Sequence, residues 1–187
     1  MTNSKRLIAA TLALASITAT SACATNDPKP GLSTTTSATG TSATSMPSSA
    51  TPSPAEQDAK EAERAIPRFW AVVDALSTDP SASLDKLAVV SREPTIATWR
   101  QLLTSRRVKQ VKQAGHTTVA SAVAKPGKAH KFAVTACIDV SKVNLVDRVG
   151  KSVVAGSRPP RVQYLYTVEK GSDGVFYVVQ DKAVRTC

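Results

Sequence analysis

The spacing of apolar and polar positions divides this chain into three regions. Residues 7–20 form an apolar run without a charged residue, and residues 31–54 form an uncharged stretch of mostly Ser and Thr with several prolines. Beyond them, apolar residues recur first at helical spacing and then at strand spacing. We therefore expect a leader at residues 1–22, a tether at residues 23–54 that does not fold, and one domain at residues 55–187.

The first half of the domain has the spacing of helices. Residues 53–56, Ser-Pro-Ala-Glu, form a capping-box sequence with proline at the first helical position. Pro67 is expected to kink or divide the helix that follows. A short helix around residues 84–90 and a third helix at residues 93–114 are expected next. The stripe of the first helix consists of Ala59, Ala62, Ile66, Phe69, Val73 and Leu76.

After Gly115 the apolar period changes to two, which is typical of strands. A turn is expected at residues 125–128, and a weaker strand pair should flank residues 147–150. Helices followed by a curling antiparallel sheet predict an α+β domain. The strands are expected at 117–124, 131–140, 162–168 and 175–184.

The N-terminus has the organisation of an export signal. Lys5 and Arg6 precede the apolar run, which is too short for a resident membrane helix. The run ends in Thr20-Ser21-Ala22-Cys23, which resembles the lipobox of bacterial lipoproteins, although a lipobox usually carries Leu where Thr20 stands. The resemblance implies a lipid on Cys23 and a place on the outer side of the cell membrane. Cleavage by an ordinary signal peptidase, giving a secreted protein, is the alternative.

The number of cysteines agrees with lipidation. The chain has three, and in an exported protein an unpaired cysteine needs an explanation. A lipid on Cys23 leaves Cys137 and Cys187 as a pair, and the oxidising location favours a disulfide between them. A redox site would need a close Cys-x-x-Cys spacing, which is absent from the sequence.

The charge indicates the class of partner. The net charge is +10, and it falls to +8 when Lys5 and Arg6 leave with the leader. In an envelope protein this favours anionic lipid, wall polymer or another envelope protein, and the few aromatic residues argue against nucleic acid. No acidic residue occurs between positions 100 and 114. The cations of this run form either a docking surface or a solvated helix end: Arg100, Arg106, Arg107, Lys109 and Lys112.

Catalytic and metal-binding patterns are weak. His116 and His130 are the only histidines, no Gly-x-Ser-x-Gly motif occurs, and no ligand cluster has the spacing of a metal site. We expect neither a metal nor a cofactor. An enzyme would need a buried acid or base inside the curved sheet, and Asp139 and Tyr164 are the candidates.

Several stretches of the domain resemble a known group. They are similar to small actinobacterial envelope lipoproteins, some of them phage-encoded, with an NTF2-like (SnoaL-like) cone fold. The resemblance implies helices in the concave face of a sheet and a non-enzymatic binding or accessory module. An isomerase- or cyclase-like enzyme, a phage-exclusion lipoprotein and a purely structural envelope protein are the alternatives. The stretches are Phe69-Trp70 and residues 79–85, 115–119, 137–140, 146–153, 158–162 and 187.

Overall fold

A long amphipathic helix opens the domain. The computed structural model describes residues 52–187, and helix α1 spans Pro54–Thr78. The predicted capping box is confirmed: the N–H of Glu56 donates to Ser53 Oγ at 3.3 Å, and the N–H of Ser53 donates to the Glu56 carboxylate at 2.7 Å. The predicted leader and Cys23 lie outside the described residues. The predicted stripe faces the core, where five of its members are buried: Ala62, Ile66, Phe69, Val73 and Leu76.

Pro67 does not divide α1, contrary to one of the two outcomes expected for it. The helix continues through Pro67 to Thr78. A proline inside a helix costs roughly 3 kcal/mol, because it removes one backbone hydrogen bond and its ring crowds the preceding turn. Ile66 and Phe69 are fully buried on either side of it. Burial of each large apolar side chain contributes about 1.5–3 kcal/mol, which is enough to offset that cost.

The third predicted helix is shorter than its sequence pattern suggests. A 3₁₀ helix at Leu84–Val89 replaces the short second helix, and helix α2 spans Thr95–Val108. Gln110 has a φ of 54°, which ends the helical path. The expectation of helix up to residue 114 is wrong, because strand β1, Lys112–Ala114, pairs with a distant strand instead.

The remaining strands form a four-stranded antiparallel sheet and a small ribbon. The strand bounds are β2 Thr118–Pro126, β3 Lys131–Asp139, β4 Asn144–Val146, β5 Arg161–Lys170 and β6 Phe176–Thr186. The sheet has the order β2-β3-β5-β6, and the ribbon pairs β1 with β4. Of the strand pair expected around the turn at residues 147–150, β4 forms the first strand, and an isolated antiparallel bridge from Val146 to Ser152 replaces the second.

The helices pack on one face of the sheet, which gives the predicted α+β, cone-like architecture. Alternate residues of β3 point toward the helices and are buried, as the period of two requires. Within residues 52–187, no helix has both the length and the apolar character needed to cross a bilayer. The strand side of the core contains Phe132, Val134, Ala136, Ile138, Tyr166, Val168, Phe176 and Val178.

A disulfide crosses the outer face of the sheet. Cys137 of β3 is bonded to Cys187, which follows β6, across a sequence separation of 50 residues. Strand β5 lies between β3 and β6. Because Cys137 alternates with the buried residues of β3, its side chain lies on the face opposite the helices. The bond therefore holds the C-terminus over β5, on the side of the sheet away from the core.

Candidate functional site

A pocket of about 420 Å³ opens between the helices and the sheet. Its walls come from the second half of α1, from α2, from β5 and β6, and from the β1–β4 ribbon with the loops beside it. Ligand sites of proteins are typically concave and mostly apolar, with a few polar groups that converge on them. The apolar part of this lining includes Trp70, Val73, Trp99, Leu102, Val143 and Val162.

Packed aromatic rings form one wall of the pocket. The rings of Trp70 and Trp99 meet edge to face at 5.5 Å, and Trp70 meets Tyr164 in the same way at 5.8 Å. Behind them, Trp70 Nε1 donates to the buried Tyr166 hydroxyl at 2.9 Å. Edge-to-face contacts and a buried hydrogen bond restrict the ring orientations, so this wall is largely preformed.

An acid lies on the β6 side of the pocket. Asp181 is partly buried, and its Oδ2 accepts a hydrogen bond from Trp99 Nε1 at 3.1 Å. Burial raises the pKa of Asp181, because it disfavours the charged carboxylate. Burial also raises the pKa of the Tyr164 hydroxyl, and the charge of Asp181 adds to that effect. A carboxyl and a phenol with shifted pKa values thus share one apolar pocket.

Two arginines lie on the same lining. Arg106 of α2 and Arg158 of the loop before β5 are both partly buried. Arg158 donates to the carbonyl oxygens of Val140 and Val143, at 2.9 Å and 2.6 Å. Burial lowers the pKa of Arg106, yet a guanidinium stays charged in proteins. Neither arginine takes part in an ion pair within residues 52–187.

The five cations predicted as a docking surface do not share one helix face. Arg100 is exposed and paired with Asp85 at 3.0 Å. Arg107 donates to the carbonyl oxygen of Ala82 at 2.8 Å, whereas Arg106 lines the pocket. The other two lie beyond α2, Lys109 at its C-cap and Lys112 on β1. The five cations are thus distributed over α2, its C-cap and β1, and whether they form a docking surface stays a prediction.

Most of the residues predicted for chemistry lie away from the pocket. His116 and His130 are exposed. Asp139 lies on the outer face of β3, where hydrogen bonds from Ser141, then the Arg161 pair, lower its pKa to about 2. Only Tyr164 of the four candidates lines the pocket. No group of three or more His, Cys, Asp or Glu side chains suited to a metal occurs in the described part of the chain.

A buried acid ties α1 to the wall of the pocket. Asp74 is 8% exposed. It accepts hydrogen bonds from Gln113 Nε2 at 2.7 Å, from the N–H of Thr117 at 2.6 Å and from the Thr117 hydroxyl at 2.8 Å. Gln113 and Thr117 both line the pocket. The sequence pattern did not reveal this role, since Asp74 lies on the polar margin of the helical stripe.

Substitution of Asp74 by alanine is expected to lower the free energy of unfolding by about 3 kcal/mol, because it removes the acceptor of three hydrogen bonds from Gln113 and Thr117. The difference in unfolding free energy between this variant and the wild-type protein is measured by urea unfolding, followed by circular dichroism. Asp58→Ala is the matched control on the same helix, since the pair of Asp58 with Lys170 is partly exposed and contributes less than about 1 kcal/mol. Equal losses in the two variants would contradict the role of Asp74.

Comparison with known proteins finds likeness of fold but not of sequence. No protein-family model and no curated protein matches the chain. The chain is similar to the intermembrane space region of chloroplast protein ARC6, with a TM-score of 0.51 and 12% identity over 68% of this chain and 97% of that one. It is also similar to Aln2 from a Streptomyces species, with a TM-score of 0.40 and 16% identity over 72% and 93% of the two chains. At 12% identity, the first likeness shows a shared fold alone.

Proposed function

We propose that this chain is a lipid-anchored envelope protein whose domain binds a small, largely apolar ligand in the pocket between α1, α2 and the sheet. The observation that carries the proposal is the preformed aromatic wall: Trp70 packs edge to face against both Trp99 and Tyr164 beside a cavity of about 420 Å³. A cavity of that volume is within the range of small-molecule sites.

The anchoring part of the proposal rests on the sequence. The apolar run, the small residues before Cys23 and the uncharged stretch after it are those of a lipoprotein with a spacer. The resemblance to small NTF2-like envelope lipoproteins of actinobacteria and their phages supports the same interpretation. A tethered pocket suits a binding or accessory role at the cell surface.

Occlusion of the pocket provides a direct test. N-phenyl-1-naphthylamine, a neutral apolar dye, fluoresces on entering such a cavity, and we expect saturable binding to the wild-type protein. Ala183 lines the pocket, so Ala183→Phe should weaken dye binding at least tenfold by filling the space. Ala133→Phe is the matched control, because Ala133 is exposed on the outer face of β3. Dye binding that is equal in both variants would contradict the proposal.

The pair formed by Asp181 and Tyr164 favours a second candidate function. Acid–base chemistry on a small apolar molecule requires a proton donor or acceptor inside an apolar pocket, and Asp181 with its raised pKa is such a group. The raised pKa of Tyr164 keeps its hydroxyl protonated, so that it can donate a hydrogen bond to the ligand. Burial of Asp181 brings its pKa closer to neutrality, where proton transfer is efficient. Recovery of a chemically altered ligand from the wild-type protein, but not from Asp181→Asn, would favour this enzyme over the binding module.

A further inference from the structure

The polar groups of the pocket are arranged in a definite order. Strand register places Asp181 beside the buried Tyr166, and places Ala183 beside Tyr164, closer to the end of the sheet. Trp99 of α2 donates to Asp181, whereas Arg106 lies seven residues, or about 10 Å, further along the same helix. The pocket therefore has an inner part at Asp181 and an outer part that carries Arg106.

The outer part also carries a second cation, Arg158. Within residues 52–187, neither Arg106 nor Arg158 forms an ion pair with a carboxylate. Arg158 lies in the loop before β5, and its carbonyl acceptors Val140 and Val143 belong to the loop after β3. Carbonyl oxygens satisfy N–H donors without neutralising the charge. Arg106 takes part in none of the ion pairs of this described part of the chain, and no hydrogen-bond partner is among the groups that shift its pKa. Removing a guanidinium from water without an anionic partner is unfavourable. A bound anion would offset the lost hydration through charge-assisted hydrogen bonds.

We infer that the pocket takes an anionic amphiphile, with its phosphate or carboxylate headgroup on Arg106 and Arg158 and its apolar chain against Trp70 and Trp99. The carboxyl of Asp181 sets the orientation, because it repels an anionic headgroup from the inner part of the pocket. The inference rests on the proposed function, since it names the ligand class of the same pocket. A guanidinium group suits these headgroups because it can donate two parallel hydrogen bonds to a single phosphate or carboxylate.

The test compares two ligands that differ only in their headgroup. Decyl phosphate and 1-decanol are titrated into the full mature chain below their aggregation limits. Quenching of tryptophan fluorescence reports binding, because both tryptophans of the chain line the pocket. The wild-type protein should bind decyl phosphate at least tenfold more tightly than decanol. That preference should fall as sodium chloride rises from about 50 to 500 mM, since screening weakens the contact.

Three variants assign the preference to a residue. Arg106→Gln should reduce the ratio of the two affinities to below threefold, and Arg106→Lys should keep most of it because the charge remains. Arg100→Gln is the control, since it removes the same charge from an exposed position on the same helix. Equal loss of preference in Arg106→Gln and Arg100→Gln would mean that the net charge, and not the pocket, attracts the anion.

The outcomes separate the inference from the proposed function. Equal affinities for decanol and decyl phosphate in the wild-type protein would leave the pocket in place and overturn the headgroup site. Failure of both ligands to bind would overturn both. Inorganic phosphate that competes with decyl phosphate at equal concentration would show that the site takes a free anion, and the amphiphile would be excluded. If an Arg106 variant does not fold, the headgroup site is still tested by the wild-type protein, through its ratio of affinities for decyl phosphate and decanol and the dependence of that ratio on salt.

Discussion

Loss of the bond between Cys137 and Cys187 is expected to lower the free energy of unfolding by about 4 kcal/mol. In the chain-entropy model, a cross-link that closes a loop of 50 residues removes that much conformational freedom from the unfolded chain. For a domain of this size, the melting temperature should fall by at least about 10 °C. Without the bond, the end of β6 keeps its pairing with β5 but loses its link to β3, so the C-terminus should fray first.

Urea unfolding of the wild-type protein and of the double variant Cys137→Ala/Cys187→Ala measures this effect. The wild-type protein treated with a reducing agent serves as the control and should reach the same stability as the double variant. Dye binding in the pocket should survive in the folded double variant, since the bond lies on the opposite face of the sheet. Equal stability with and without the bond would contradict the prediction.

Substitution of Cys23 by alanine is expected to move the protein from the membrane fraction to the soluble fraction. The cysteine of a lipoprotein signal is the only site to which the anchor can be attached, so its loss should be all or none. Intact-mass measurement should show a diacylglyceryl or triacyl addition on the wild-type N-terminus and none on the variant. Two acyl chains or more are what stable anchoring requires.

Thr20→Leu is the companion variant. It restores the residue that lipobox sequences usually carry, so the protein should remain in the membrane fraction with an unchanged lipid mass. A soluble wild-type product that begins near Ala22 or Thr25 would instead identify a secreted protein. That result would contradict the proposed lipid anchor, whereas the proposed ligand binding in the pocket would be tested separately.

Local patterns predicted much of the fold. The capping box of α1 and its apolar stripe depend on neighbours three and four residues apart, and both are present in the structure. The alternation along β3 and β5 similarly marks which side of each strand is buried. Such features follow from short segments of chain, and the α+β class follows from their order.

The errors occurred where distant residues decide the conformation. The apolar spacing up to Val111 favours a longer α2, but Lys112–Ala114 gains hydrogen bonds from Asn144–Val146, which no local pattern reveals. At Gly115 a φ of 77° and a carbonyl oxygen of Lys142, only 1.9 Å from where a Cβ would lie, leave room for glycine alone. The close contact of the backbone at Gly115 with Lys142 also holds β1 and β4 together beside the pocket.

The candidate site was less predictable than the fold. Tyr164 was found because of the apolar alternation of β5, but Asp181 was not, because it stands between Gln180 and Lys182 in the polar second half of β6. Two β-bulges separate the pairing of β5 and β6 into segments, so simple alternation does not determine which way Asp181 faces. The surroundings of Arg106 and Arg158 depend on three-dimensional packing of segments far apart in sequence.

The start of α1 and the pocket lie far apart on the same helix. Ser53 is the N-cap of α1, whereas Val73 lines the pocket. At 1.5 Å per residue, these two points are about 30 Å apart along the helix axis. A substitution in the first turn of α1 should therefore leave ligand binding in the pocket unaffected.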